Sequence, residues 1–137
     1  MKSVVRSSAG NLPIVEISWG EFIDKLTILE IKQARLTSPE AVANVRKELA
    51  ALRSALEEPS PAGLDALMRE LKAINEELWD IENRTRAKEA IKTFDQEFID
   101  LTRSVYLNND KRARVKRQIN ELLASRIIEE KQYTPYS

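Results

Sequence analysis

The sequence predicts an all-α protein, an antiparallel bundle of about four helices whose two longest members form coiled-coil-like arms. Only three glycines and five prolines occur in 137 residues, too few for the many tight turns of a β-sandwich or barrel. Apolar residues make up 42% of the chain and recur at three- and four-residue steps, the spacing of amphipathic helices. A chain of this length can bury a core as one domain, residues 1–137, without disulfides or metals.

The first predicted helix begins at a capping box over residues 18–21. The Ser18 hydroxyl can accept a hydrogen bond from the Glu21 N–H while the Glu21 carboxylate reaches back to the backbone of Ser18. The apolar stripe that follows is wide enough to contact two neighbours, so we expect this helix to be central. The stripe consists of Trp19, Phe22, Ile23, Leu26, Ile28, Leu29 and Ile31.

A second helix is predicted to begin at Ser38-Pro39, because serine is a favoured N-cap and proline suits the first helical position. It carries a heptad seam made of Val42, Val45, Leu49, Leu52 and Leu56. A loop follows it over residues 57–63, the one stretch rich in proline, serine and glycine.

Two long helices complete the predicted bundle. The third runs from Pro61 or Leu64 to about Ile91, and the fourth over residues 94–124 with Thr93 as its N-cap. With a turn between them near Lys92-Thr93, they would form an antiparallel hairpin, with the shorter first pair packed across it.

The bundle, residues 18–124, is flanked by two predicted extended segments. Residues 1–17 form a short arm, and we expect its Ile14 and Ile17 to lie against the helices. Residues 125–137 form a tail, whose isoleucines and tyrosines are expected to dock on the bundle.

The fourth helix is irregular, because its apolar seam places Asn108 and Arg112 at core-facing positions. A buried arginine must be paired, and Asn75, Glu76 and Glu77 are the expected partners. Two structural explanations are a polar layer that sets the helix register and a helix break at residues 108–110. The functional alternative is a pocket that binds a carboxylate or phosphate. The candidate ligand-binding residues are Tyr106, Asn108, Arg112 and Lys116 from the fourth helix, with Glu77 from the third.

Composition excludes several classes of function. The chain has no cysteine and no histidine, so thiol nucleophiles, serine–histidine–acid triads and the usual zinc ligands are excluded. We expect no metal and no cofactor. The 22 basic and 22 acidic residues cancel, and the basic run at 111–117 points in all directions around a helix. We therefore expect no nucleic-acid binding, and pairing of this run with the acidic residues at 76–82.

The chain shows no signal peptide and no apolar stretch of transmembrane length. These features predict a cytoplasmic protein that does not bind membranes.

Four blocks of sequence carry a family resemblance. They are residues 16–32, 78–82, 104–113 and 129–136. The first block begins with the motif Glu-Ile-Ser-Trp-Gly-Glu. Together they resemble an uncharacterised bacterial family of short helical proteins, a domain of unknown function. The resemblance implies a loose association with glycosyltransferase or surface-polysaccharide genes, and it implies no catalytic residues.

The sequence favours a helical protein–protein interaction or assembly domain that acts as a homo-oligomer, without enzymatic activity. The seam of the second helix, or the seam over Leu64–Ile81, would pack against a partner helix. The alternative is an enzyme or small-ligand domain for a nucleotide, sugar nucleotide or carboxylate, with its site around Arg112.

Overall fold

The computed structural model describes residues 12–56 and 60–136, and in these ranges the chain is all-α, as predicted. Four helices pack against one another: α1 (Trp19–Arg35), α2 (Pro39–Ser54), α3 (Leu64–Ala90) and α4 (Gln96–Leu122). The described residues form no β-sheet.

Helix α1 is the central element, as its wide apolar stripe predicted. It packs against α2, α3 and α4. Among the four described helices, α2 lies close to α1 but not to α3 or α4. The core that these contacts bury draws on all four helices. Its buried members are Ile23, Leu26, Leu29, Val45, Leu49, Leu64, Leu71, Ile74, Val115 and Ile119.

The predicted start of α1 is confirmed, with one change in how it is capped. The Ser18 hydroxyl accepts from the Glu21 N–H at 3.0 Å, as the capping box requires. The Glu21 carboxylate instead lies 2.7 Å from Lys116 Nζ on α4. The first turn of α1 is therefore attached to α4 by an ion pair.

Helices α3 and α4 form the predicted antiparallel hairpin, and ion pairs from Lys88 to Asp95 and from Arg84 to Glu97 join them near the turn. The predicted N-cap of α4 is wrong, because the Thr93 N–H bonds the Lys88 carbonyl at 3.0 Å and thereby closes α3. Asp95 caps α4 instead, with its carboxylate accepting from the Phe98 N–H.

Both long helices end in a Schellman motif without glycine. Lys92 and Ala124 occupy the left-handed position after each helix, with φ of 54° and 51°. The next residue donates back to the last turn in each case: Thr93 to Lys88, and Ser125 to Asn120 at 2.8 Å. Glycine usually marks this motif in a sequence, and none is present at this position. The sequence therefore predicted the end of α4 at residue 124, two residues after Leu122.

The extended segments differ in how closely they adhere to the bundle. Ile14 and Ile17 remain exposed, so the prediction that they pack against the helices is wrong. The C-terminal tail, residues 125–136, runs back along α4, since Glu130 pairs with Arg117 and Tyr136 bonds Asp110.

The first turn of α1 makes a close approach to α4 at Gly20. Its N–H donates to Asn120 Oδ1 at 2.6 Å, and a Cβ placed there would lie 2.5 Å from the Lys116 carbonyl oxygen. A backbone oxygen cannot move aside without shifting α4. Glycine is therefore needed at this helix crossing.

Gly20→Ala should lower the free energy of unfolding by about 1–3 kcal/mol, because the strain of overpacking exceeds the gain in helix propensity. The measurement is urea unfolding followed by circular dichroism. Ala43→Gly, at an exposed position of α2, is the control and should cost about 1 kcal/mol. A stabilised Gly20→Ala protein would contradict the close crossing.

Ala124→Gly should raise the free energy of unfolding by about 1 kcal/mol, because it relieves the left-handed strain of an L-residue. The same change at Ala87, exposed inside α3, should lower it by about 1 kcal/mol. Thermal and urea unfolding of the two variants would show the opposite signs, and equal destabilisation would exclude the Schellman geometry.

Candidate functional site

A buried carboxylate lies where α1, α3 and α4 meet. Asp24 is 1% exposed, and Arg112 of α4 binds it with two hydrogen bonds. Arg112 Nε lies 2.9 Å from Asp24 Oδ1, and Arg112 Nη2 binds Asp24 Oδ2. This bidentate contact raises the pKa of the Arg112 guanidinium and is the strongest geometry available to the two groups.

Neighbouring side chains complete the pairing of Asp24. Asn75 Nδ2 donates to Asp24 Oδ1 and to Thr27 Oγ1, each at 2.9 Å. The Thr27 hydroxyl donates to the Asp24 carbonyl at 2.8 Å, and Lys116 Nζ lies 3.8 Å from Asp24 Oδ2. We call Asp24, Thr27, Asn75, Arg112 and Lys116 the Asp24 network.

The predicted partner of Arg112 is wrong in part. Asn75 does belong to the same network, but the anion is Asp24, 88 residues away in sequence. Glu76 instead lies 3.6 Å from Arg35, and Glu77 is exposed. The expectation that carboxylates of α3 would neutralise Arg112 fails because Glu76 pairs with Arg35 of α1 and Glu77 faces solvent, so Asp24 is the anion that reaches Arg112.

The basic run at 111–117 also finds different partners from those expected. Arg112 and Lys116 pair with residues of α1, and Arg117 lies 3.6 Å from Glu130 of the tail. The acidic residues at 76–82 pair elsewhere, for instance Asp80 with Arg35 at 2.7 Å. The two runs do not neutralise each other.

Helix α4 is continuous through residues 108–110, so the alternative of a break there is wrong. Asn108 is buried, and its Nδ2 donates to the Ser104 carbonyl at 2.9 Å, one turn earlier. Its Oδ1 has no hydrogen-bond partner among residues 12–56 and 60–136. The polar position within the helix seam is thus real, and the backbone tolerates it without interruption.

The five predicted ligand-binding residues do not gather at one place. Arg112 and Lys116 meet at Asp24, and Asn108 is buried one turn before Arg112. Tyr106 lies on the outer side of α4 against Tyr136, and Glu77 is exposed on α3. Their role in binding a ligand stays a prediction, and Asp24 already occupies the guanidinium fork.

A shallow groove of about 360 Å³ lies beside Arg112. Ile28, Leu78 and Trp79 line it with apolar surface, and Lys32 and Arg112 contribute cations. Asn75 and Arg112 of the Asp24 network also line this groove, so the network borders solvent on this side.

A second concave region, between the tail and α4, escaped the sequence analysis. Its larger part has a volume of about 690 Å³ and is lined by Tyr106, Tyr133 and Tyr136, which are all the tyrosines of the chain. Only Tyr106 was a candidate from sequence. The signal available in the sequence was the pair of tyrosines in the tail. Only the path of the tail in the structure shows that these tyrosines lie beside α4.

No cluster of three or more acidic side chains placed to hold a metal occurs in the described parts of the chain. Within the same parts, no helix is long and apolar enough to cross a membrane.

Comparison with known protein families identifies the family of this chain. A family of unknown function, DUF6165, matches residues 14–137. The chain belongs to this family. The match begins just before the α1 capping box and includes all four helices and the tail of this DUF6165 protein. Searches of curated proteins and of solved structures found no match.

Arg112→Leu should lower the free energy of unfolding of this DUF6165 protein by about 3 kcal/mol, because it leaves the Asp24 charge buried without its main partner. Combining it with Asp24→Leu should restore much of the loss, since both charges are then removed. Lys111→Leu, next to it on the exposed side of α4, is the control and should change stability by less than about 0.5 kcal/mol. The measurement is urea unfolding. If Arg112→Leu and Lys111→Leu changed the free energy of unfolding equally, the Asp24–Arg112 ion pair would not be structural.

Proposed function

We propose that this DUF6165 protein is a helical assembly domain that pairs with a second copy of itself through the tip of the α3–α4 hairpin. The hairpin tip is defined as residues 88–99. Its exposed apolar side chains carry the proposal: Ile91 is 69% exposed, Phe94 54% and Ile99 47%. Such side chains gathered at one end of a helical hairpin favour a protein partner.

The seams first expected to meet a partner serve a different purpose. Val45, Leu49, Leu71 and Ile74 of α2 and α3 are all buried within the chain's own core. Because these seam residues are already buried in the chain's own core, we propose a different surface for self-assembly. Self-assembly, if it uses apolar burial, requires surface that the single chain leaves uncovered, and the hairpin tip supplies it.

The aromatic residues of the tip are already held in position. The rings of Phe94 and Phe98 contact edge to face, with centroids 5.1 Å apart, and Phe98 is half-buried. The contact with Phe98 restricts the Phe94 ring, which lowers the conformational entropy that is lost when a partner covers it.

Charges around the tip suit a second copy of the same surface. Lys88 and Lys92 lie beside Glu89, Asp95 and Glu97. Lys88 also holds the pKa of the Asp95 carboxyl below its usual range. A two-fold contact brings each patch against its own copy, so a patch of both signs can pair with itself. A standard interface buries about 800 Å² per partner, which requires the flanks of both helices as well as the tip.

In sedimentation or light-scattering measurements at micromolar concentration, the protein should behave as a dimer, with twice the 15.7 kDa mass of the chain. Ile91→Ser combined with Phe94→Ser should weaken dimerisation by at least about tenfold, because large apolar side chains at the centre of an interface dominate its affinity. Circular dichroism should show an unchanged helix content.

Leu12→Ser combined with Val15→Ser is the matched control, because these side chains are as exposed as those of the tip but lie in the N-terminal arm. It should dimerise like the original protein. A monomer at all concentrations tested would exclude self-assembly, and loss of the dimer in the control variant would place the contact elsewhere.

A further inference from the structure

Polar contacts attach the C-terminal tail to the start of α1 and to α4. The Ser18 hydroxyl donates to Glu129 at 2.5 Å, and the Trp19 N–H donates to Ser125 Oγ at 3.2 Å. At the far end, the Tyr136 hydroxyl donates to Asp110. Residues 128–136 are nevertheless all exposed. Apolar burial therefore does not explain why this stretch lies against the helix.

The space between tail and helix, which we call the tail cleft, has two connected compartments. The larger, of about 690 Å³, is lined by the three tyrosines, and the smaller, of about 200 Å³, by Lys116, Arg117 and Asn120. Arg114 and Lys131 line both. The larger compartment falls within the range of sizes of small-molecule sites, roughly 300–1,000 Å³.

The aromatic compartment is lined by three tyrosines that are all exposed, Tyr106 by 41%, Tyr133 by 76% and Tyr136 by 58%. The Tyr106 and Tyr136 rings pack with centroids 5.3 Å apart. The hydrogen bond to Asp110 raises the pKa of the Tyr136 phenol and ties this ring to α4. Exposed tyrosines next to an amide side chain, here Asn109, suit stacking and edge recognition of a planar heterocycle.

The basic compartment suits the anionic part of the same ligand. Lys116 is bound to Glu21, and Arg117 lies near Glu130. Arg114 and Lys131, at the junction, have no ion-pair partner within residues 12–56 and 60–136. Two cations without an ion-pair partner in these ranges, next to an aromatic surface, favour a ligand in which a phosphate is attached to a ring. The Glu129 carboxylate also lines this compartment, which limits the number of negative charges it can accept.

We propose that the tail cleft binds a nucleoside diphosphate, with the base stacked on the tyrosines and the phosphates at Arg114 and Lys131. The order of the compartments matches the order of the ligand, ring first and phosphates second. Because tyrosine stacks on any base, the cleft accepts both purine and pyrimidine diphosphates. The site lies on α4 and the tail, apart from the hairpin tip, and does not depend on self-assembly.

The test is isothermal titration calorimetry of the full chain with ADP and UDP, and separately with adenosine and inorganic pyrophosphate. Both diphosphates should bind at micromolar concentrations, and each half-ligand should bind at least about tenfold more weakly. Pyrophosphate binding as tight as that of ADP would overturn the stacking half of the proposal. No heat with either diphosphate at millimolar concentration would overturn the whole.

Variants locate the site. Arg114→Gln and Tyr133→Leu should each weaken ADP binding by about tenfold or more, and Tyr133→Phe should retain it because the ring remains. Lys111→Gln removes a neighbouring exposed cation of α4 that does not line the cleft and should bind ADP normally. Equal weakening by Lys111→Gln and Arg114→Gln would indicate attraction by general charge and overturn the site.

A measurement without substitutions keeps the proposal testable if a variant misfolds. With the tyrosine rings isotopically labelled, ADP should shift all three ring signals in the NMR spectrum, because every tyrosine lines the cleft. Unmoved signals at millimolar ADP would overturn the proposal. Repeating the titration on the Ile91→Ser, Phe94→Ser double variant separates it from self-assembly, since binding should persist there.

Discussion

The burial of the Asp24 carboxylate is the constraint on which the arrangement of α1, α3 and α4 depends. A charge that is 1% exposed must be matched by a cation, and Arg112 supplies it with two hydrogen bonds. Asn75 adds a donor from α3. Apolar packing alone would allow one helix to slide by a turn along another. Here such a shift would leave the Asp24 carboxylate buried without its cation. The network therefore specifies the register of three helices.

The same register governs the close crossing of α1 and α4. With Asp24 opposite Arg112, Gly20 comes to lie against the backbone of Lys116 and the side chain of Asn120. The end of α4 then lies beside the start of α1, where Ser18 can bond Glu129. The tail therefore starts beside the first turn of α1, and its return along α4 forms the tail cleft.

The two proposed activities use parts of the hairpin that the core leaves free. The halves of α3 and α4 nearest α1 bury Leu71, Ile74, Val115 and Ile119. Within residues 12–56 and 60–136, no third helix covers the other halves, and apolar residues at the tip are exposed. Self-assembly is assigned to that tip, and ligand binding to the outer side of α4 under the tail. Each can be tested without disturbing the other.

The sequence by itself determined the helical class, the central role of α1 and the polar positions in α4, because helix spacing and caps are local properties. It predicted Ser18 as a cap and Asn108 and Arg112 as core-facing. Only the tertiary structure decided that Asp24 neutralises Arg112, since partners 88 residues apart share no local pattern. Likewise, only the path of the tail brings Tyr133 and Tyr136 to Tyr106. Periodicity shows which side of a helix is buried, but three-dimensional packing chooses what it is buried against.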